Sequence, residues 1–186
     1  MSLHFVVVKQ LEPVLIGKLT TLLAECVDSG ASLGFYQPAE PTSLTEYWQG
    51  LCHDILTEKR TLLVVYNDSQ LAATVQLHYC HKQNGLHRAE VEKLLVAPRY
   101  QRQGIATQLM AKMELLARFK GIKLLFLDTQ TGDKSELFYQ ALGYQLSGTI
   151  PAFVSCHLGQ LHSTSVYYKQ LSQCLPSADA TLRQTA

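Results

Sequence analysis

The chain has 186 residues, 47% of them hydrophobic and 17% charged, which suits one soluble domain with a substantial core and excludes intrinsic disorder as the ground state. Sixteen basic and fifteen acidic residues leave a formal charge of +1, so there is no global field for nucleic acid or an anionic membrane. The five cysteines, Cys26, Cys52, Cys80, Cys156 and Cys174, are odd in number and lack C-x-x-C spacing, which argues against a disulfide framework or structural zinc and for a reducing cytoplasm.

Residues 3–9 read as a first strand, too short and too soon followed by Lys9 to act as a signal or membrane segment; whether Met1-Ser2-Leu3 is native or added stays open at this point. Pro13 then suits a first helical turn, and Leu15, Ile16, Leu19, Leu22, Leu23 and Cys26 recur at helical spacing up to Gly30. The connection GASLGFYQPAEP is rich in turn formers. Ser43 and Glu46 form a capping-box pattern that predicts a helix from there to about residue 58. TLLVVYNDSQLAATVQLHYC predicts two strands around Asn67-Asp68, and Asn84-Gly85 marks a second hairpin into the strand RAEVEKLLV, residues 88–96. Residues 61–96 are thus expected to form an antiparallel meander.

Pro98 closes that strand, and IATQLMAKMELLARF predicts an amphipathic helix ended by Gly121 before the strand KLLFLD. A strand–helix–strand unit of this kind sets its two strands parallel. Asp133 caps one more helix, which stops at Gly143, and strands near 144–150 and 164–171 follow. The expected class is α+β, a mostly antiparallel sheet with one parallel crossover and flanking helices. Residues 1–175 are expected to be a single domain and 176–186 a polar tail.

Gly104 and Ala106 open the crossover helix beside Arg99, Arg102 and Gln103, and small residues at a helix start with nearby cations suit a bound anion. A Walker loop needs Lys and then Ser or Thr after the glycine, where this chain has Ile105; a dinucleotide fingerprint needs further glycines in a tighter turn. The remaining pattern is Gln/Arg-x-x-Gly-x-Gly/Ala, here Gln101-Arg102-Gln103-Gly104-Ile105-Ala106. With the meander, the crossover and the later Phe138, Tyr139, Gly143 and Tyr144, the chain resembles the GNAT superfamily of acetyl-CoA-dependent N-acyltransferases. GASLGF, NGLHRAEVEKLLV, LDTQTG, ELFYQALGY and LHSTSVYYKQL are similar to the tabtoxin resistance acetyltransferase family from about residue 20 to 171.

The resemblance implies that the backbone of residues 101–106 holds the coenzyme A pyrophosphate, and that Leu94, Leu95 and Val96 offer backbone to the pantetheine arm. It also implies catalytic roles for Glu90, for Asp128 at the end of KLLFLD, and for Tyr139. Either carboxylate can take the amine proton, while a phenol, with a reference pKa near ~10 against ~8.5 for a thiol, can donate to the departing sulfur. The superfamily's usual Asn and Ala ahead of that tyrosine are Gly132 and Ser135 here, so no Asn-mediated coenzyme contact carries over.

Other readings stand beside these. Glu90 and Glu92 share a strand face that is otherwise a solvated acidic surface, Asp128 otherwise ends a strand and bonds to the turn TQTG, and Tyr139 is otherwise a core aromatic. Arg99 and Arg102 contact phosphate or are simply solvated, and Trp48 walls a pocket or covers core. His78, Cys80 and His81 alternate in face and lack a second ligand pair, so no metal is expected. The activity implied is acetyl transfer from acetyl-CoA to a small amine-bearing metabolite or toxin, tabtoxin-like dipeptides included. A coenzyme A-binding module without turnover and a protein-amine acetyltransferase are the alternatives.

Overall fold

The computed structural model describes residues 2–171, so Met1, Cys174 and the expected 176–186 tail lie outside the described residues. Its frame is a seven-stranded sheet ordered β1-β2-β3-β4-β5-β7-β6. The strands are β1 (Leu3–Val8), β2 (Arg60–Asn67), β3 (Gln70–Tyr79), β4 (Arg88–Val96), β5 (Leu124–Gln130), β6 (Gln145–Ser155) and β7 (Leu161–Gln170). Every neighbouring pair is antiparallel except β4–β5, the two strands joined by the crossover helix. The α+β class expected from the sequence is therefore the one observed.

Helices α1 (Pro13–Asp28), α2 (Pro41–Gly50) and α3 (Cys52–Leu56) cover one face of the sheet, where Leu19, Leu23, Leu44, Trp48 and Ile55 pack on Leu62, Val64 and Leu95. On the other face α4 (Ile105–Phe119) and α5 (Lys134–Ala141) close over Leu63, Val65, Val75, Leu77 and Leu125. The helical spacing of Ile105, Leu109, Met110, Met113 and Ala117 gives α4 one continuous apolar stripe toward the strands. Among the described residues no helix is long and apolar enough to cross a membrane.

Three local departures from the sequence reading have physical causes. The cap of α2 is Glu40, whose carboxylate accepts from the N–H groups of Thr42 (3.1 Å) and Ser43 (2.6 Å), rather than Ser43 itself. Pro41 has no N–H to lose at the first helical position, so the helix starts three residues earlier than the capping-box pattern suggests. The Asn84-Gly85 hairpin is a wider connection containing a 3₁₀ turn over Gln83–Gly85. Strand β6 runs through Pro151 to Ser155, because it is the sheet's edge and its register breaks between Ile150 and Val154, where a missing N–H costs the ladder nothing.

The sheet is irregular at β4. The β3–β4 register shifts between Thr74 and Gln76, and Lys93 sits at φ 49°. Ala89 and Val91 face the α4 side before this bulge, whereas Leu95 faces the α1 side after it. One inserted residue has exchanged the faces of the strand.

Candidate active site

The turn before α4 is built from two left-handed residues, Arg102 at φ 60° and Gly104 at φ 76°. It is tied down by its glutamines: Gln101 Nε2 donates to the Val96 carbonyl (3.2 Å) and Gln103 Nε2 to the Arg99 carbonyl (3.1 Å). From Arg102 to Thr107 the backbone N–H groups have no partner among the described residues, and no side chain caps the helix. A Cβ on Gly104 would meet nothing within 4 Å, so the glycine is there for its backbone angle and open surroundings rather than for close packing. Successive free N–H groups in such a turn, at a helix N-terminus, form a concavity suited to an anion. Ile105 is buried beneath it, Ala106 is partly buried, and residues 101–104 are exposed. Arg99 turns away: its Nη1 bonds Glu25 at 3.0 Å and its guanidinium lies over the Tyr100 ring. Arg102 is the exposed cation left at the turn.

Below this turn the sheet opens. Pairing of β4 with β5 stops at Glu90 opposite Phe126, while pairing of β4 with β3 continues to Val96. Residues 91–96 therefore have a strand on one side only, and Leu94, Leu95 and Val96 lie along the gap. The Val96 carbonyl is already taken by Gln101 and by Cys26 Sγ.

The face of the gap toward α1 and α2 is polar. His78, Glu90 and Glu92 each bring one atom within 4.8 Å of the others. Glu92 is not the solvated acid its strand position suggests: it pairs with Arg60, which is buried to 7% exposure. Arg60 Nη1 also donates to Gln76 Oε1 (2.8 Å), which accepts the Tyr47 hydroxyl at 3.2 Å. Glu92 being committed in this way, Glu90 is the carboxylate of the pair with no partner among the described residues. Half-buried, its carboxyl lies above its ordinary range, mainly through desolvation and then through the charges of Glu92 and Asp128. Asp128 lies on the exposed face of β5 and accepts from Thr164 Oγ1 at 3.2 Å; β5 continues two residues beyond it, so it is not the strand end that was expected.

Tyr139 of α5 lies on the opposite face, packed edge-on against Phe138 (5.4 Å) and Tyr144 (5.8 Å) within the cluster that holds Leu125 and Leu127. Burial, followed by the charges of Asp128 and Asp133, pushes its phenol well above the ordinary value, which keeps it protonated. The sheet thus groups Glu90 with Asp128 and sets Tyr139 across the sheet from them, still within the electrostatic reach of Asp128.

His78, Glu90 and Glu92 form the one group among the described residues able to offer three ligand atoms to a metal ion, though Arg60 already neutralises Glu92. This is not the His78-Cys80-His81 set weighed from the sequence, because β3 ends at Tyr79 and only His78 stands on it. Trp48 is fully enclosed and belongs to the core. These contacts of Arg60, Gln76, Tyr47 and Lys93 were not anticipated. The first three meet only through strand register and helix packing, but the adjacent charges Glu92-Lys93 interrupt the alternation of β4 and are a readable sign of its bulge.

The acetyltransferase (GNAT) family model matches residues 24–144. Among solved structures, a protein assigned as a phosphinothricin N-acetyltransferase superposes with a TM-score of 0.76 at 18% identity, covering 92% of this chain and 99% of its own. yncA of Salmonella typhimurium, assigned as an acetyltransferase and solved with its cofactor acetyl-CoA, gives 0.72 at 12% identity, over 95% and 98%. A ribosomal-protein-alanine N-acetyltransferase from Brucella melitensis gives 0.71 at 14% identity, over 92% and 100%. At these identities the three structures speak for the fold.

Proposed function

This chain belongs to the acetyltransferase (GNAT) family and is an acyltransferase, and we propose that it moves an acetyl group from acetyl-CoA to the amine of a small metabolite or toxin, in a reducing cytoplasm. The observation that carries the reading is the position of Glu90: a half-buried, otherwise uncommitted carboxylate at the point where β4 and β5 part. The free N–H groups of Arg102–Thr107 and the open space at Gly104 suit the pyrophosphate, and the one-sided backbone of Leu94 and Leu95 suits the pantetheine amides, the Val96 carbonyl being already taken by Gln101 and Cys26. When bound, acetyl-CoA supplies the acetyl group as a reactive thioester. Glu90 or Asp128 would take, directly or through water, the proton that the acceptor ammonium must lose before its nitrogen can attack, and Tyr139 would supply a proton to the departing thiolate.

With Glu92 already paired to Arg60, Glu90 and Asp128 in a chain of net charge +1 suit a single ammonium rather than a polycation. A compact amino acid or short peptide with one free amine fits that charge pattern. Tabtoxin-like dipeptides are favoured by the resemblance of the GASLGF and NGLHRAEVEKLLV segments, and the phosphinothricin N-acetyltransferase neighbour supports a small acceptor. The test is competition for acetylation among amino acids, dipeptides, polyamines, aminoglycosides and lysine peptides. Preference for the first two supports the reading. Preference for lysine peptides would move the assignment to protein amines, and coenzyme binding without product from any amine would leave a module without turnover.

A further inference from the structure

Lys93 occupies left-handed backbone space that a long side chain avoids unless its surroundings hold it there. What holds it is the connection between α1 and α2. Its Nζ donates to the Leu33 carbonyl at 2.8 Å and lies 5.8 Å from the Phe35 ring and 5.2 Å from the Tyr47 ring. A Cβ on Gly34 would come 3.9 Å from the same nitrogen, so the turn of the loop is wrapped on the ammonium. The flanks of the connection are fastened elsewhere. Gln37 Nε2 donates to the Asp28 carbonyl at 2.7 Å, the Ala39 N–H to Asp28 Oδ1 at 2.9 Å, and the Tyr36 hydroxyl shares a 2.9 Å bond with Ser155 Oγ. Among the described residues, Lys93 supplies the polar tie between residues 32–35 and the sheet.

The Tyr47 ring near that ammonium donates its hydroxyl to Gln76 Oε1, which also holds Arg60, the partner of Glu92, and a carboxylate oxygen of Glu92 lies within 4.8 Å of one of Glu90. The loop that Lys93 fastens therefore borders the space in front of Glu90.

We infer that Lys93 is a positioning residue, a latch that pins residues 32–35 over the β4 bulge and thereby limits the size of acceptor that reaches Glu90. It neither gives nor takes the transferred proton. The inference rests on the acceptor site proposed above, but its first test does not depend on turnover. Lys93→Met keeps an apolar stem and removes the ammonium; Lys93→Arg keeps a cation.

Chymotryptic cleavage after Phe35 and Tyr36, measured without acetyl-CoA or acceptor, should quicken about 10-fold or more in Lys93→Met, the scale of one lost charge-assisted hydrogen bond, and return toward wild type in Lys93→Arg. In the same variant the acceptor KM should rise about 10-fold with the acetyl-CoA KM unchanged, and the preference for single amino acids over bulkier peptides should narrow, both again restored by Arg. Unchanged cleavage at Phe35 and Tyr36 would overturn the latch. Faster cleavage there with acceptor KM and selectivity unaltered would overturn its role in specificity, and faster cleavage at sites in the sheet as well would reduce Lys93 to a structural residue and overturn both. If wild type released no thiol with any amine, the acceptor site itself would fall, a result separate from the cleavage measurement.

Discussion

Glu90 owes its electrostatic state to its neighbours. Desolvation and the charges of Glu92 and Asp128 raise its carboxyl, and Arg60 and Lys93 only partly oppose them. Because the folded-state value lies above the unfolded one, the native protein holds this proton more tightly. Stability then falls as pH rises from the ordinary glutamate range through the raised value, and at neutral pH the charged group is a cost. Glu90→Gln should accordingly raise the melting temperature at pH 7, with the gain vanishing at a pH below the ordinary glutamate range. The same substitution should lower kcat/KM by roughly 10²–10⁴-fold and remove an acid limb displaced above the usual carboxylate range. Paired melting curves and pH–rate profiles check both. Both outcomes together would mark Glu90 as a residue that costs stability while serving the reaction, the pattern expected of a site built for chemistry.

Strands β2, β3 and β4 are stitched on their polar face by Arg60, Gln76 and Glu92. Removing the cation leaves a carboxylate with 24% side-chain exposure without its partner, so Arg60→Met should cost about 3 kcal/mol in denaturant unfolding. Adding Glu92→Gln should recover part of that loss, because the two residues form one unit. At the start of α4 the expectation is different. Gly104→Val places an L-residue at φ 76°, a strain of roughly 1–2 kcal/mol, but meets no protein atom within 4 Å. The fold should survive, while acetyl-CoA affinity measured by calorimetry drops by more than the stability loss accounts for.

These elements differ in how far they could be read from the chain. The limits of β4 and α4 follow from alternation, helical periodicity and Pro98, and both match the structure residue for residue. The cap of α2 does not follow, since a glutamate before a proline competes with a better-known serine pattern three residues on. The Arg60–Glu92 pair depends on two strand registers, information that is spread over 32 positions of sequence.

At the scale of the molecule, one sheet separates two apolar clusters and parts between β4 and β5, so that a gap lies between the carboxylates on one face and Tyr139 on the other. Glu90, Asp128 and Tyr139 entered as candidates through family resemblance because they stand in segments with distinctive spelling. Their division between two faces was not legible, because it depends on the bulge at Lys93 and on the register of β5 against β7. A net charge of +1 likewise hides a locally acidic face, since the balancing cations lie elsewhere on the sheet or are already paired. The central claim is that this divided gap performs amine acetylation. Its most direct test is free coenzyme A thiol released from acetyl-CoA, followed continuously with and without a small primary amine in wild type and Glu90→Gln. The account predicts amine-dependent release by wild type and roughly 10²–10⁴-fold slower release by the variant at unchanged acetyl-CoA affinity. Acetyl-CoA binding with no amine-dependent release from wild type, or equal rates in the two proteins, would contradict it.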